Sequence, residues 1–62
     1  MTTHEEIVAQ YEAYITENAK FEEKGVKASS ARARKALAEI AKLAKVRRKE
    51  IQEAREKLDA EK

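Results

Sequence analysis

In 62 residues there is no proline, and Gly25 is the only glycine. Ala, Glu, Lys and Arg dominate on both sides of it. Those residues lose little on entering a helix, whereas glycine and proline are the residues that interrupt one. A chain so composed has one natural place to turn. The expected fold class is all-α: an antiparallel two-helix hairpin with a short helix 1 over about residues 4–24, a loop over about 25–28 and a longer helix 2 over about 29–60, together one domain spanning 1–62. A loop this short leaves the helices no choice but to run antiparallel.

The apolar residues keep helical time. Ile7, Tyr11, Tyr14, Asn18 and Phe21 recur at steps of 4, 3, 4 and 3, and Val8 with Ile15 widens the stripe. That spacing gives a helix one apolar face, and it argues against disorder in a chain that is 42% charged. Thr3-His4-Glu5-Glu6 reads as a capping box, with Thr3 as the cap and Glu6 reaching back. Gly25 suits the left-handed residue that closes a helix. Ser29 or Ser30 is the expected cap of helix 2. Ala33, Leu37, Ile40, Ala44, Ile51, Ala54 and Leu58 share one face of that helix, with Ala36 and Leu43 on its flank and Arg47 in its middle. Folding about the loop sets Phe21 near Ala33, Tyr14 near Ile40, Tyr11 near Ala44 and Ile7 near Arg47.

The two helices differ in length, at about 31 Å and about 48 Å for 1.5 Å per residue. Ile51, Ala54 and Leu58 should therefore project past the end of helix 1 with an uncovered apolar side. A second copy would cover it and give a four-helix homodimer. The rival is an exposed helix end steadied by an i,i+4 pair of Glu53 with Lys57. The expected core and dimer residues are Ile7, Tyr11, Tyr14, Phe21, Leu37, Ile40, Leu43, Ile51 and Leu58.

The charge is segregated along the chain. Residues 1–23 carry six Glu and one Lys, residues 24–49 ten basic residues and one acid, and residues 50–62 five acids and three bases. The net charge of +2 hides a positive middle between negative ends. At 100° per residue, Lys27, Arg34, Lys35, Lys42, Lys45, Arg48 and Lys49 gather opposite the apolar face of helix 2. Ala31, Ala38 and Ala41 lie among them and keep the surface low. The stripe is about 33 Å long, close to one turn of duplex DNA. Lys27, Arg32 and Arg34 also stand at the positive end of the helix dipole, where a sequence tuned only for helix stability would place acids. With Lys24 and the hydroxyls of Ser29 and Ser30 they make a tip suited to phosphate. A solvated lysine-rich face is the plain alternative. Pairing with the acids of helix 1 is another; it fails in part, because a stripe facing away from helix 1 cannot reach that helix's outer face.

Other functions find little footing. There is no Cys and only one His, so neither thiolate nor convergent imidazole metal ligands exist, and no cofactor is expected. His4 reads as a helix-start residue. Glu12, Glu17 and Glu39 form no sheltered pair for acid–base chemistry, no nucleophile sits beside a base, and no phosphate loop is present; an enzyme acting on a small-molecule substrate is not expected. Met1 to Glu6 is polar, no apolar run is long enough to span a membrane, and a cytoplasmic location is the natural expectation. Asn18, within the apolar seam, reads as a register-setting polar residue.

The middle stretch resembles the bacterial histone H1-like proteins of the chlamydial type. The shared pattern is Glu23-Lys24-Gly25-x-Lys27, the small residues Ala28 to Ala31, Arg32-Ala33-Arg34, Leu37-x-x-Ile40, Leu43-x-x-Val46 and Arg48-Lys49. The likeness is good over residues 23–50; residues 5–22 match only as an amphipathic helix. It implies sequence-tolerant DNA binding in the nucleoid, chromatin compaction, and a helical part that self-associates. Members of that family carry a long Lys/Ala/Pro-rich tail, which the sequence here does not show. Either the stripe has taken over DNA binding or this is the association module. Members also tend to have an aromatic where this chain has Arg47. Arg47 may be expected to stack on Tyr11 or pair with Glu6, or else to lay its stem on the apolar face and send its head outward.

The expected function is sequence-tolerant binding of double-stranded DNA by a homodimer. Its phosphate contacts would come from Lys24, Lys27, Ser29, Ser30, Arg32, Arg34, Lys35, Lys42, Lys45, Arg48 and Lys49. The rival is a helical interaction module whose basic face meets an acidic protein or RNA.

Overall fold

The computed structural model describes residues 1–61; Lys62, the last residue of the expected domain, lies outside them. Helix α1 spans Thr3–Lys24 and helix α2 spans Lys27–Ala60. They pack antiparallel as a rod of 54 × 17 × 14 Å. The hairpin turns where the sequence has its single glycine. Gly25 has φ 65° and ψ 29°, and its N–H donates to the Phe21 carbonyl at 2.9 Å. That left-handed geometry costs an L-residue with a Cβ but not glycine.

The caps differ from expectation by a residue or more. The capping box belongs to Thr2 and Glu5, not to Thr3 and Glu6. Glu5 N–H donates to Thr2 Oγ1 and Thr2 N–H donates to Glu5 Oε1, each at 3.1 Å. Thr3 is freed for a tertiary contact: its hydroxyl donates to Glu50 Oε2 of α2 at 2.8 Å. Helix α2 begins two residues earlier than expected, after Val26, which is extended and supplies no side-chain cap. Neither serine caps it. Ser29 is fully buried, and the Ser30 hydroxyl donates back to the Lys27 carbonyl at 2.7 Å. Burial of Ser29 beneath α1 overrides the local preference of serine for a cap.

That burial also locates the contact between the helices. The buried residues of α2 are Ser29, Ala33 and Ala36. Such short side chains lose contact with water only where another backbone comes close, so the helices meet most tightly near the turn over small residues. Ala36, expected on the flank, is central. Leu37, expected at the centre, is 47% exposed. Ile7, Tyr14, Ile40 and Leu43 are half-buried, whereas Tyr11, Phe21, Ile51 and Leu58 are exposed.

Farther from the turn the seam is polar. Arg47 faces α1, but its head pairs with Glu50 on its own helix, Nη1 to Oε1 at 3.3 Å. It does not make the Glu6 pair that its position suggested. Glu50 thus joins Arg47 to Thr3 and marks the level at which α1 begins. Beyond it α2 runs alone, and residues 51–61 are all exposed. The overhang holds Gln52 Nε2 to Glu56 Oε1 at 3.2 Å and not the Glu53–Lys57 pair.

Nothing lies within 4 Å of a Cβ added at Gly25, so Gly25→Ala meets backbone strain without a clash. We expect it to lower stability by about 1–2 kcal/mol in a urea or thermal melt, with Gly25→Asn losing less. An unchanged melt for the alanine variant would contradict the left-handed turn.

Candidate nucleic-acid interface

With Ser29, Ala33 and Ala36 held against α1, the helical repeat fixes where the rest of α2 points. Lys27, Arg34, Lys35, Lys42, Lys45 and Lys49 fall on the side away from α1, with Arg48 at one edge, and all are exposed. Lys24 is exposed beside the turn. Seven of these eight cations, all but Lys42, make no ion pair within 4.0 Å among the described residues. Lys42 stands 3.9 Å from Glu39 across one helical turn. The first turn of α2 contains no acid and has no side-chain cap; of its N–H groups, that of Ser29 donates to the Val26 carbonyl at 3.1 Å.

Three expected site residues are placed otherwise. Ser29 is buried and cannot present its hydroxyl outward. Ser30 is half-buried with its hydroxyl engaged at the Lys27 carbonyl. Arg32 leans toward α1, where its Nη1 is 3.5 Å from Glu17 Oε2. Arg32 is not part of the outward stripe, and no stripe residue pairs with an acid of α1 among the described residues.

Glu17 is the residue that sequence reasoning passed over. Three residues after Tyr14 and four before Phe21, it sits on the border of the apolar stripe, and that spacing was the available signal. Its side chain is only 17% exposed. Beneath it lies Ser29, and Lys20 Nζ is 3.9 Å from its other oxygen. The neighbouring Ser29 hydroxyl does most to hold the Glu17 carboxyl below the usual carboxylate range; Lys20 and Arg32 add to this, and burial opposes it. The contact with Ser29 is nonetheless loose. Neither Ser29 Oγ nor Glu17 Oε2 has a hydrogen-bond partner of good geometry.

The two flanks of the hairpin differ. One carries Gln10, Glu17, Arg32, Glu39 and Glu50. The other carries Val8, Tyr11 and Ile15 of α1 with Leu37 of α2, each at least 40% exposed. A shallow groove opens there, lined by Tyr14, Asn18, Phe21, Ser30, Ala33, Arg34 and Leu37. The side of α1 away from α2 is acidic, with Glu5, Glu12 and Glu23 exposed. Among the described residues, no three acidic or imidazole side chains converge as a metal site, and no helix is long and apolar enough to cross a membrane.

A depressed carboxylate pKa ties stability to pH in one direction. The contribution of Glu17 is present above the unfolded value, about 4.3, and is lost as pH falls through the lower folded value. Glu5, lowered chiefly by its hydrogen bonds with Thr2, acts in the same sense. The melting temperature should fall as pH drops from about 5 to about 3, and Glu17→Gln should make that fall shallower. An equal fall in the variant would contradict the placement of Glu17.

No curated protein and no solved structure matches the chain. Residues 1–57 match the family described as histone H1-like protein Hc1. The match takes in α1 as well as the basic stretch whose pattern first suggested such a family. A hairpin with its cations turned outward from the helix contact, matched over nearly its whole length, belongs to the histone H1-like protein Hc1 family.

Proposed function

We propose that this protein binds duplex DNA without regard to sequence, as a nucleoid-associated, non-enzymatic homodimer, and that the outward face of α2 supplies the phosphate contacts. The observation that carries the reading is the row of cations from Lys27 to Lys49, exposed and largely unpaired on the side of α2 away from α1. Family membership supports DNA as the polyanion. Such a row releases counterions when phosphates replace them, so binding weakens steeply with salt. Base readout has no obvious agent: Tyr11, Tyr14 and Phe21 lie along the apolar stripe of α1, and the outward face of α2 is lysine, arginine and alanine. Contacts to phosphate position a protein without reading sequence.

The dimer rests on surface. A compact monomer of 7.1 kDa would expose about 4,100 Å². This chain exposes 5248 Å², including Ile51 at 52% and Leu58 at 64% on the unaccompanied end of α2. A second copy covering that end and the Val8–Tyr11–Ile15 flank would leave the lysines of the basic face free, because Lys27, Lys35, Lys42, Lys45 and Lys49 lie roughly a quarter turn or more from Leu37, and only Arg34 and Arg48 border that flank. Two basic faces on one particle suit bridging or following a bent duplex, which is how such a protein would compact DNA.

Titration of a mixed-sequence duplex at several salt concentrations tests the contacts. Seven phosphate contacts predict a log–log slope of roughly −6. Reversing the charge of Lys35, Lys42 and Lys49 should abolish binding with helicity retained. A salt-independent constant, or full DNA retention by that variant, would overturn the reading in favour of a protein-binding module. Sedimentation at micromolar concentration should show a dimer, and Ile51→Glu with Leu58→Glu a monomer; a wild-type monomer that melts cooperatively would contradict the dimer.

A further inference from the structure

Arg32 differs from its basic neighbours in having an acid of the other helix within reach. Glu17 Oε2 lies 3.5 Å from Arg32 Nη1, on the border between the seam and solvent. The carboxylate is the more covered member of the pair. Its side chain is mostly covered, Ser29 lies beneath it, and Lys20 holds its second oxygen at 3.9 Å. Arg32 is the free member of the pair, with 61% of its side chain exposed. An anion therefore stands at one edge of the basic stripe, where Arg32 adjoins Lys35 about one turn along α2.

We propose that Glu17 sets the strength of DNA binding by acting as an internal competitor for Arg32, occupying the guanidinium that a phosphate would otherwise take. The inference rests on the DNA-binding reading above. A phosphate arriving at that edge must displace Glu17 from Arg32 and also meets its negative charge at close range. While Glu17 keeps Arg32, no phosphate takes its place and no counterion of the DNA is released there, so Arg32 adds less to the salt dependence than Lys45, which has no ion-pair partner among the described residues. The looseness of the pair matters too. At 3.5 Å, with no hydrogen bond of good geometry to Glu17 Oε2, Arg32 is restrained and not locked. Glu17 thus moderates affinity, a useful property in a protein that must coat DNA and also leave it.

The test compares full-length variants by salt-dependent titration of a mixed-sequence duplex. Glu17→Gln keeps the shape of the side chain and removes the competitor. It should bind roughly two- to fivefold tighter, the range expected for releasing an exposed ion pair, with a slope steeper by about 0.9, the increment of one phosphate contact. Adding Arg32→Gln to that variant should cancel both changes. Glu12→Gln makes the same change in net charge on the outer side of α1 and should not reproduce the steeper slope. An unchanged slope in Glu17→Gln, a gain that survives loss of Arg32, or an equal gain from Glu12→Gln would each overturn the proposal. Should the Gln variant melt early, Arg32→Gln and Lys45→Gln are compared in the otherwise unchanged chain: a clearly smaller loss of slope for Arg32 is expected, and equal losses refute the idea. Failure of the DNA-binding reading itself looks different, since the unmodified protein would then show no salt-dependent binding at all.

Discussion

Ser29, Ala33 and Ala36 decide which side of α2 lies against α1, and the character of every other surface follows from that choice. Small side chains let two helices approach closely, and close approach extends dispersion contact along both backbones. A leucine at these positions would hold the helices apart; a leucine one residue along, at Leu37, is left at the edge. Once the seam is fixed, a rotation of 100° per residue sends the cations of α2 outward, puts the larger apolar groups on one flank and sets Glu17 beside Arg32. The turn at Gly25 makes the seam possible by reversing the chain within two residues.

The electrostatic outcome is a one-sided rod. The back of α2 is basic, the back of α1 is acidic, and the intervening seam pairs Arg47 with Glu50 and Arg32 with Glu17. A polyanion meeting such a rod is drawn to one face and repelled from the other, so orientation is set before contact. The same division explains why the acidic ends of the sequence do not cancel its basic middle. Glu5, Glu12 and Glu23 sit on the far side of the molecule, and Glu53 and Glu56 lie on the overhang beyond the last lysine of the stripe. Membership in the histone H1-like protein Hc1 family is consistent with this asymmetry, because a DNA-binding protein needs a face that attracts the polyanion.

Much of this was legible in the sequence, for reasons that can be named. With one glycine and no proline, the position of the turn had no competitor. The outward direction of Lys35, Lys42 and Lys49 followed from their spacing alone. The helix starts were less certain, because Thr2 and Thr3 offer the same hydroxyl one residue apart and only the chain direction chooses between them. Ser29 was misread because a serine near a helix start usually caps it, whereas here a tertiary contact claims the position. The seam keeps Ala33, Ile40 and Ala44 of the expected face but is rotated toward Ala36 and away from Leu37, because close packing selects by size where hydrophobicity ranks leucine first. Glu17 and Arg32 escaped notice since their meeting depends on the register of two helices near the turn, which no local pattern encodes.

The proposed DNA binding is tested most directly by which face of the rod a duplex touches. Backbone amide shifts of the isotopically labelled protein, followed by NMR as a short duplex is added, report that face residue by residue. The changes should fall on Lys27, Lys35, Lys42, Lys45 and Lys49 and around the turn, and leave Glu5, Glu12 and Glu23 on the back of α1 undisturbed. Changes concentrated on α1, or spread evenly over both helices, would contradict it.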